Sequence, residues 1–162
     1  MLFYQAVPLL SVVVFLAGRN EASSGNMSVD SILGKKYKLN ESENFDEFMK
    51  AIGVGLVTRK IANAVSPVLD LTKEGDEYVI TQKSTFKNMI IRFKPGVDFV
   101  QETPDGRSVN SVITIEGNKL HEVQKDDSGK NTVIDRIFTD TEVKMTMNHG
   151  DISATRVYKL QE

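Results

Sequence analysis

From Val68 to the end of the chain, short alternating segments are separated by turn residues, and this rhythm restricts the fold more than any other feature. Turn signals stand at Glu74-Gly75-Asp76, Lys94-Pro95-Gly96, Pro104-Asp105-Gly106 and Glu116-Gly117-Asn118. They recur at Asp126 to Gly129, Thr139-Asp140 and Asn148-His149-Gly150. Glycine supplies positive φ at such places, proline presets its own φ, and asparagine and aspartate bond back to the backbone. The spacing leaves strands of up to about ten residues joined as hairpins. No long crossover is present, so parallel pairing has no connection to use. About nine strands fit between the turns, and Lys35 to Leu39 adds a tenth. The reading is all-β: a ten-stranded up-and-down antiparallel barrel, enclosing more space than side chains alone fill.

One interruption breaks the rhythm. Phe45, Phe48, Met49 and Ile52 follow the i, i+3, i+4, i+7 spacing of one helix face. Asn44 reads as the N-cap, with Glu47 completing a capping box. Asp46 and Glu47 suit the positive end of the helix dipole. Gly53 and Gly55 end this helix. A second follows, roughly residues 56–65, with Val57, Ile61 and Val65 on one side and Arg59, Lys60 and Asn63 on the other. Pro67 stops it.

The strand faces carry the functional signal. In 152–160, Ile152, Ala154, Arg156 and Tyr158 share one face. In 131–138 the corresponding set is Ile134, Arg136 and Phe138. In the next strand it is Val143, Met145 and Met147, and in 119–125 it is Leu120, Glu122 and Gln124. These faces are apolar with a few scattered polar groups. A buried charge is costly unless paired. An arginine on such a face fits a cavity whose ligand brings an anion. The competing reading of Arg136 is a structural ion pair with a neighbouring acid such as Glu122.

Composition removes several function classes. The chain has 162 residues and a formal net charge of −2, which gives no basic field for nucleic acid. It has no cysteine, which excludes disulfides, thiolate metal sites and cysteine nucleophiles. Its two histidines, His121 and His149, lie near hairpin turns and outside any motif, so no metal site and no nucleophile–base pair is expected. Residues 1–26 do not belong with the rest. Ala6 to Ala17 is a continuous apolar run, shorter than the ~20 residues a spanning helix needs. It reads as a signal-like core followed by small residues at 22–24, or as an extension ahead of an alternative start at Met27. The domain reading is therefore an N-terminal hydrophobic extension, 1–26, and a barrel domain, 27–162.

Several motifs together resemble the intracellular fatty-acid-binding proteins, within the lipocalin-like superfamily. They are Lys36-Tyr37-Lys38-Leu39, Glu43 to Met49, Gly53 to Lys60, Ser84-Thr85-Phe86-Lys87-Asn88, Gly117-Asn118-Lys119-Leu120 and Thr155-Arg156-Val157-Tyr158-Lys159. The resemblance runs from about Ser31 to the C-terminus and points toward the heart, adipocyte and myelin branch. It implies a β-clam capped by a helix-turn-helix lid, with one long-chain fatty acid inside. It implies that Arg136, Arg156 and Tyr158 hold the carboxylate. The ligand tail would meet Phe45, Phe48, Met49, Thr58, Ala62 and Pro67 of the lid. At the portal it would meet Phe86, Thr103, Asp105 and Arg107, with Phe86 as a gate. Ile134, Met145 and Met147 would sit nearer the headgroup. The chain departs from the family at Pro104, which should stiffen the portal loop, and by one extra residue in the turn from Asp126 to Lys130.

The resemblance further implies a monomeric, cytoplasmic, non-enzymatic carrier with no cofactor. Lys50, Arg59 and Lys60 on the lid would touch anionic membranes during ligand transfer, and match positions that form a nuclear-import signal in some members. Secretion is the alternative if residues 1–24 act as a signal peptide. A retinoid or other hydrophobic-ligand carrier of the same fold is the nearest competing function. Two arginines favour a carboxylate, because retinol carriers tend to place glutamines there. A hydrolase or isomerase lacks a recognisable catalytic pair, and a membrane-stacking role would need a more basic surface than −2.

Overall fold

The computed structural model describes residues 27–162; the expectation for residues 1–26 lies outside them. The strands are β1 (Lys36–Glu43), β2 (Val68–Glu74), β3 (Glu77–Lys83), β4 (Met89–Phe93) and β5 (Phe99–Glu102). They continue as β6 (Ser108–Glu116), β7 (Lys119–Lys125), β8 (Asn131–Phe138), β9 (Glu142–His149) and β10 (Ile152–Leu160). Helices α1 (Phe45–Ala51) and α2 (Leu56–Ala64) stand between β1 and β2.

All ten strands form one antiparallel sheet in the order β4-β3-β2-β1-β10-β9-β8-β7-β6-β5. It curls into a nearly closed barrel in which β1 joins the first strands to the last. Strands β4 and β5 are the two ends of the sheet. Seven connections from β2 onward coincide with the turn signals of the sequence. The eighth, between β3 and β4, contains neither glycine nor proline. The Ser84 hydroxyl organises it instead, accepting from the amides of Phe86 (3.3 Å) and Lys87 (3.1 Å) while donating to the Lys87 carbonyl (2.9 Å).

Burial follows the two-residue period. Ile134, Arg136 and Phe138 are inside on β8, Val143, Met145 and Met147 on β9, and Ala154, Arg156 and Tyr158 on β10. Leu120 and Glu122 are inside on β7. A one-residue slip would turn each set to solvent. Register aligns Arg136 with Met145 and Met145 with Arg156, so the two arginines stand level on either side of a methionine.

The two ends of the barrel differ. Before β1, a single 3-10 turn over Val29–Ile32 is capped by Ser28 and buries Val29 and Ile32. It packs with Tyr37, Leu69, Leu71, Ile80, Phe93 and Phe138 in a solid apolar plug. Each such side chain contributes about 1.5–3 kcal/mol when fully buried. After β1, the helices cover the other end, where α1 lies against β9 and β10.

The lid departs from the sequence expectation in two ways. Asn44 is left-handed at φ 56° and its side chain does not cap α1. An N-cap side chain works from extended backbone. Here Nδ2 donates to the Ser153 carbonyl at 2.7 Å, tying the lid to β10. Asparagine is among the few residues that accept this backbone shape. In α2 the cavity side carries Thr58 and Ala62, with Val65 just past its end, whereas Val57 is 73% exposed. Arg59 and Asn63 both bond Asp46 of α1, at 3.2 and 3.0 Å, and Arg59 also donates to the Val54 carbonyl at 2.9 Å. These bonds hold Arg59 and Asn63 toward α1, while Val57 and Lys60 face water. No described helix is long and apolar enough to cross a membrane.

Candidate ligand site

Between the helices and the plug lies a cavity of about 190 Å³. A single water occupies about 10–15 Å³ on this scale, so the space admits far more than trapped solvent. Each residue named from the sequence for ligand contact lies on its wall. The lid contributes Phe45, Phe48, Met49, Thr58 and Ala62, with Pro67 just beyond it. Beside the lid come Phe86, Thr103, Asp105 and Arg107, and deeper in the barrel Ile134, Arg136, Met145, Met147, Arg156 and Tyr158. The wall also includes residues not singled out beforehand, among them Gln82, Met89, Ile91 and Gln101. Gln101 alternates with Phe99 and Thr103 along one face, which is the signal that would have found it.

Three charged residues are buried among the described ones: Glu122, Arg136 and Arg156. Arg136 Nη1 donates to Glu122 Oε2 at 2.6 Å, which is the ion pair weighed as the competing reading. Glu122 Oε1 accepts from Gln101 Nε2 at 2.5 Å and from Gln124 Nε2 at 2.8 Å. Gln101 also donates to Ser111 Oγ at 2.7 Å. Arg156 has no such carboxylate among the described residues. Its guanidinium sits 4.0 Å from the Phe45 ring centre and 5.9 Å from that of Tyr158. Cation–π contact compensates it in part.

Three buried side-chain atoms have no hydrogen-bond partner within the described protein: Arg136 Nε, Arg156 Nε and Tyr158 Oη. An unmet buried polar group costs roughly 1–3 kcal/mol, so their gathering here is not a packing accident. Burial pushes the Arg156 pKa down, with Tyr158 opposing. Burial pushes the Tyr158 hydroxyl up, with Arg156 and then Arg136 opposing. Tyr158 is therefore a neutral donor at ordinary pH.

The entrance is braced. Arg107 grips Asp105 through Nε–Oδ2 (2.6 Å) and Nη2–Oδ1 (3.2 Å), and Thr103 Oγ1 donates to Oδ1 at 2.6 Å. Burial alone would raise the Asp105 carboxyl, but the Arg107 and Thr103 bonds hold it below its ordinary value. Lys87 Nζ reaches the Pro104 carbonyl at 3.1 Å, linking the β3–β4 and β5–β6 loops across the open seam. Phe86 is 47% exposed at this mouth. Both histidines lie off the cavity wall: His121 pairs with Asp135 at 2.7 Å, and His149 meets Thr132 at 2.9 Å. No group of metal-ligating side chains converges among the described residues.

The chain has well-described relatives. It is 46% identical over 135 residues to the muscle fatty acid-binding protein of Schistocerca gregaria, covering 82% of this chain and 99% of that one. The brain fatty acid-binding protein structure of Drosophila melanogaster superimposes with a TM-score of 0.75 at 55% identity, over 79% of this chain and 98% of the other. A Schistosoma mansoni fatty acid binding protein in complex with arachidonic acid gives a TM-score of 0.78 at 41% identity, over 83% and 99% of the two chains. A family model matches residues 33–161, nearly the whole described barrel, and the chain belongs to the lipocalin / cytosolic fatty-acid binding protein family.

Proposed function

We propose that this protein is a non-enzymatic carrier of long-chain fatty acids. The observation that carries this reading is the set of unsatisfied donors on Arg136, Arg156 and Tyr158, set in an otherwise apolar cavity. A carboxylate answers them with charge-assisted hydrogen bonds. Arg156 gains a counter-charge, Arg136 shares its remaining nitrogens, and Tyr158 donates its hydroxyl. The arachidonic acid complex of the S. mansoni relative supports the ligand class.

Energetics agree with useful affinity. At about 0.8 kcal/mol per methylene, a C16 tail contributes on the order of 12 kcal/mol before ordering costs. The net lies in the micromolar to nanomolar range, about −8 to −12 kcal/mol. A neutral retinoid would fill the same space but leave Arg156 without an anion, which makes it the weaker reading.

The carrier works as a cytoplasmic monomer, with nuclear entry as a further option. Transfer proceeds through contact of the lid with anionic membranes. Leu56 (57% exposed) and Val57 (73%) give the lid an apolar prow, with Lys50 and Lys60 exposed on the same hairpin. Such a surface suits an interfacial approach. Arg59 takes less part than its position implies, because its guanidinium is engaged by Asp46 and Val54. The test is mass spectrometry of lipid extracted from natively purified protein, followed by oleate titration of the delipidated form. Recovery of fatty acid and saturable binding at or below micromolar concentration is expected. Absence of both overturns the reading.

A further inference from the structure

Glu122 is not needed to hold a fatty acid, yet it sits at the centre of the buried polar network. Its side chain is 0% exposed and its two oxygens take three bonds, from Arg136, Gln101 and Gln124. A carboxylate is not buried this way without a partner, and Arg136 is that partner. The pairing has a consequence for the whole cavity. Glu122, Arg136 and Arg156 are the buried charges among the described residues. Two guanidiniums against one carboxylate leave a single positive charge, and it lies on Arg156.

We infer that Glu122 is a specificity-determining residue that sets the cavity's uncompensated charge at one, so that a singly charged headgroup is accepted and a doubly charged one rejected. This rests on the carrier reading above and sharpens it. The level placement of Arg136 and Arg156 across Met145 would otherwise form a doubly positive site. The two backbones stand about 10 Å apart, two strand spacings, and both side chains face inward. Such a pair would suit a phosphate monoester as well as a carboxylate. Glu122 removes half of that charge from within. A dianion would then leave one negative charge buried and unpaired, the costly situation for any ion. The other ionisable group at this depth is Tyr158, which stays neutral. Asp105 and Arg107 neutralise each other at the entrance, and the exposed Lys87 is beside them.

The test compares dodecyl sulfate and dodecyl phosphate, each below its micelle concentration, by titration calorimetry. The two share a tail and a tetrahedral head. The sulfate stays a monoanion, whereas a phosphate monoester passes from one charge to nearly two as pH rises through about 6. For the wild-type protein, sulfate should bind more tightly than phosphate at pH 8 by about tenfold or more, and the preference should shrink to about twofold at pH 5. In Glu122→Gln the pH 8 preference should vanish or reverse. The glutamine keeps its shape and an acceptor oxygen for Gln101. Equal wild-type binding of the two ligands at pH 8 overturns the inference even if the variant does not fold. An unchanged preference in a folded variant overturns it as well. Failure of the carrier reading looks different: the wild-type protein would then bind neither dodecyl sulfate nor oleate.

Discussion

Replacing Arg156 with methionine separates what this residue does for ligand from what it does for the fold. In the free protein Arg156 is 4% exposed, lacks a carboxylate partner among the described residues, and has an unsatisfied Nε. Its pKa is pushed down first by burial. The charge is therefore held at a cost to the fold. Exchanging a buried ion for an apolar side chain of similar volume stabilises proteins by about 1–4 kcal/mol. Loss of the cation–π contact with Phe45 takes back about 1–2 kcal/mol. The free Arg156→Met protein should thus lie between about 1 kcal/mol less stable than wild type and about 3 kcal/mol more stable. Oleate affinity should move the other way. Truncating one member of a buried charge pair costs about 2–5 kcal/mol. At about 1.4 kcal/mol per decade, that weakens binding between about 30-fold and several-thousand-fold. Urea unfolding of the delipidated proteins and calorimetric oleate titration measure the two quantities. A variant destabilised by clearly more than about 1 kcal/mol, or one binding oleate within about threefold of wild type, would refute the reasoning.

The remaining predictions concern the entrance and the lid. Asp105→Asn should lose about 1.5–3 kcal/mol of stability at neutral pH, since the bonds lost are charge-assisted. Because the Asp105 pKa is held below the ordinary carboxyl value of 3.8, that contribution is fully present above 3.8 and fades as pH falls below it. Wild type and variant should therefore converge in acid unfolding, and a difference that persists at the lowest pH would count against the assignment. Lys87→Met should speed fatty-acid exchange severalfold in stopped-flow displacement with little change in affinity, because it cuts the link between the two loops at the mouth. Unchanged exchange rates would remove Lys87 from any gating role. Val57→Ser with Lys60→Glu should slow oleate transfer to anionic vesicles and leave oleate affinity intact. Equal slowing with neutral vesicles would argue against charge-assisted docking.

Much of this architecture was legible because strands announce themselves twice, by alternation and by the turns between them. The inward sets on β7 to β10 needed only the period of two, and they already contained Glu122, Arg136, Arg156 and Tyr158. What a single strand cannot say is which partner lies across the sheet. The same pattern allowed Arg136 to meet a ligand or Glu122, and the register and rotamers decide that it meets Glu122. The β3–β4 connection was invisible for a different reason. Its turn is made by one serine hydroxyl rather than by glycine or proline, so it carries no compositional mark. The rotation of α2 failed for a third. Periodicity set Val57, Ile61 and Val65 opposite Arg59, Lys60 and Asn63, but Asp46 of the neighbouring helix claims Arg59 and Asn63 and leaves Val57 in water. Tertiary hydrogen bonds outweigh the preference of a nine-residue helix.

The pairing of β1 with β10 has a consequence in time. Tyr37 bonds beside Leu160, so the seam that joins the two halves of the sheet waits for the far end of the sequence. A ribosome adds about 5–20 residues per second, and earlier hairpins can form while it does so. The strand bearing Arg156 and Tyr158 emerges after every other strand described here. Closing so distant a contact is slow, since chain entropy is spent before the reward arrives. Ligand competence and completion of the sheet therefore arrive in one step. A nascent chain paused before Ile152 has neither, and exposes β1 and β9 as unpaired edges for chaperones or for another chain to find.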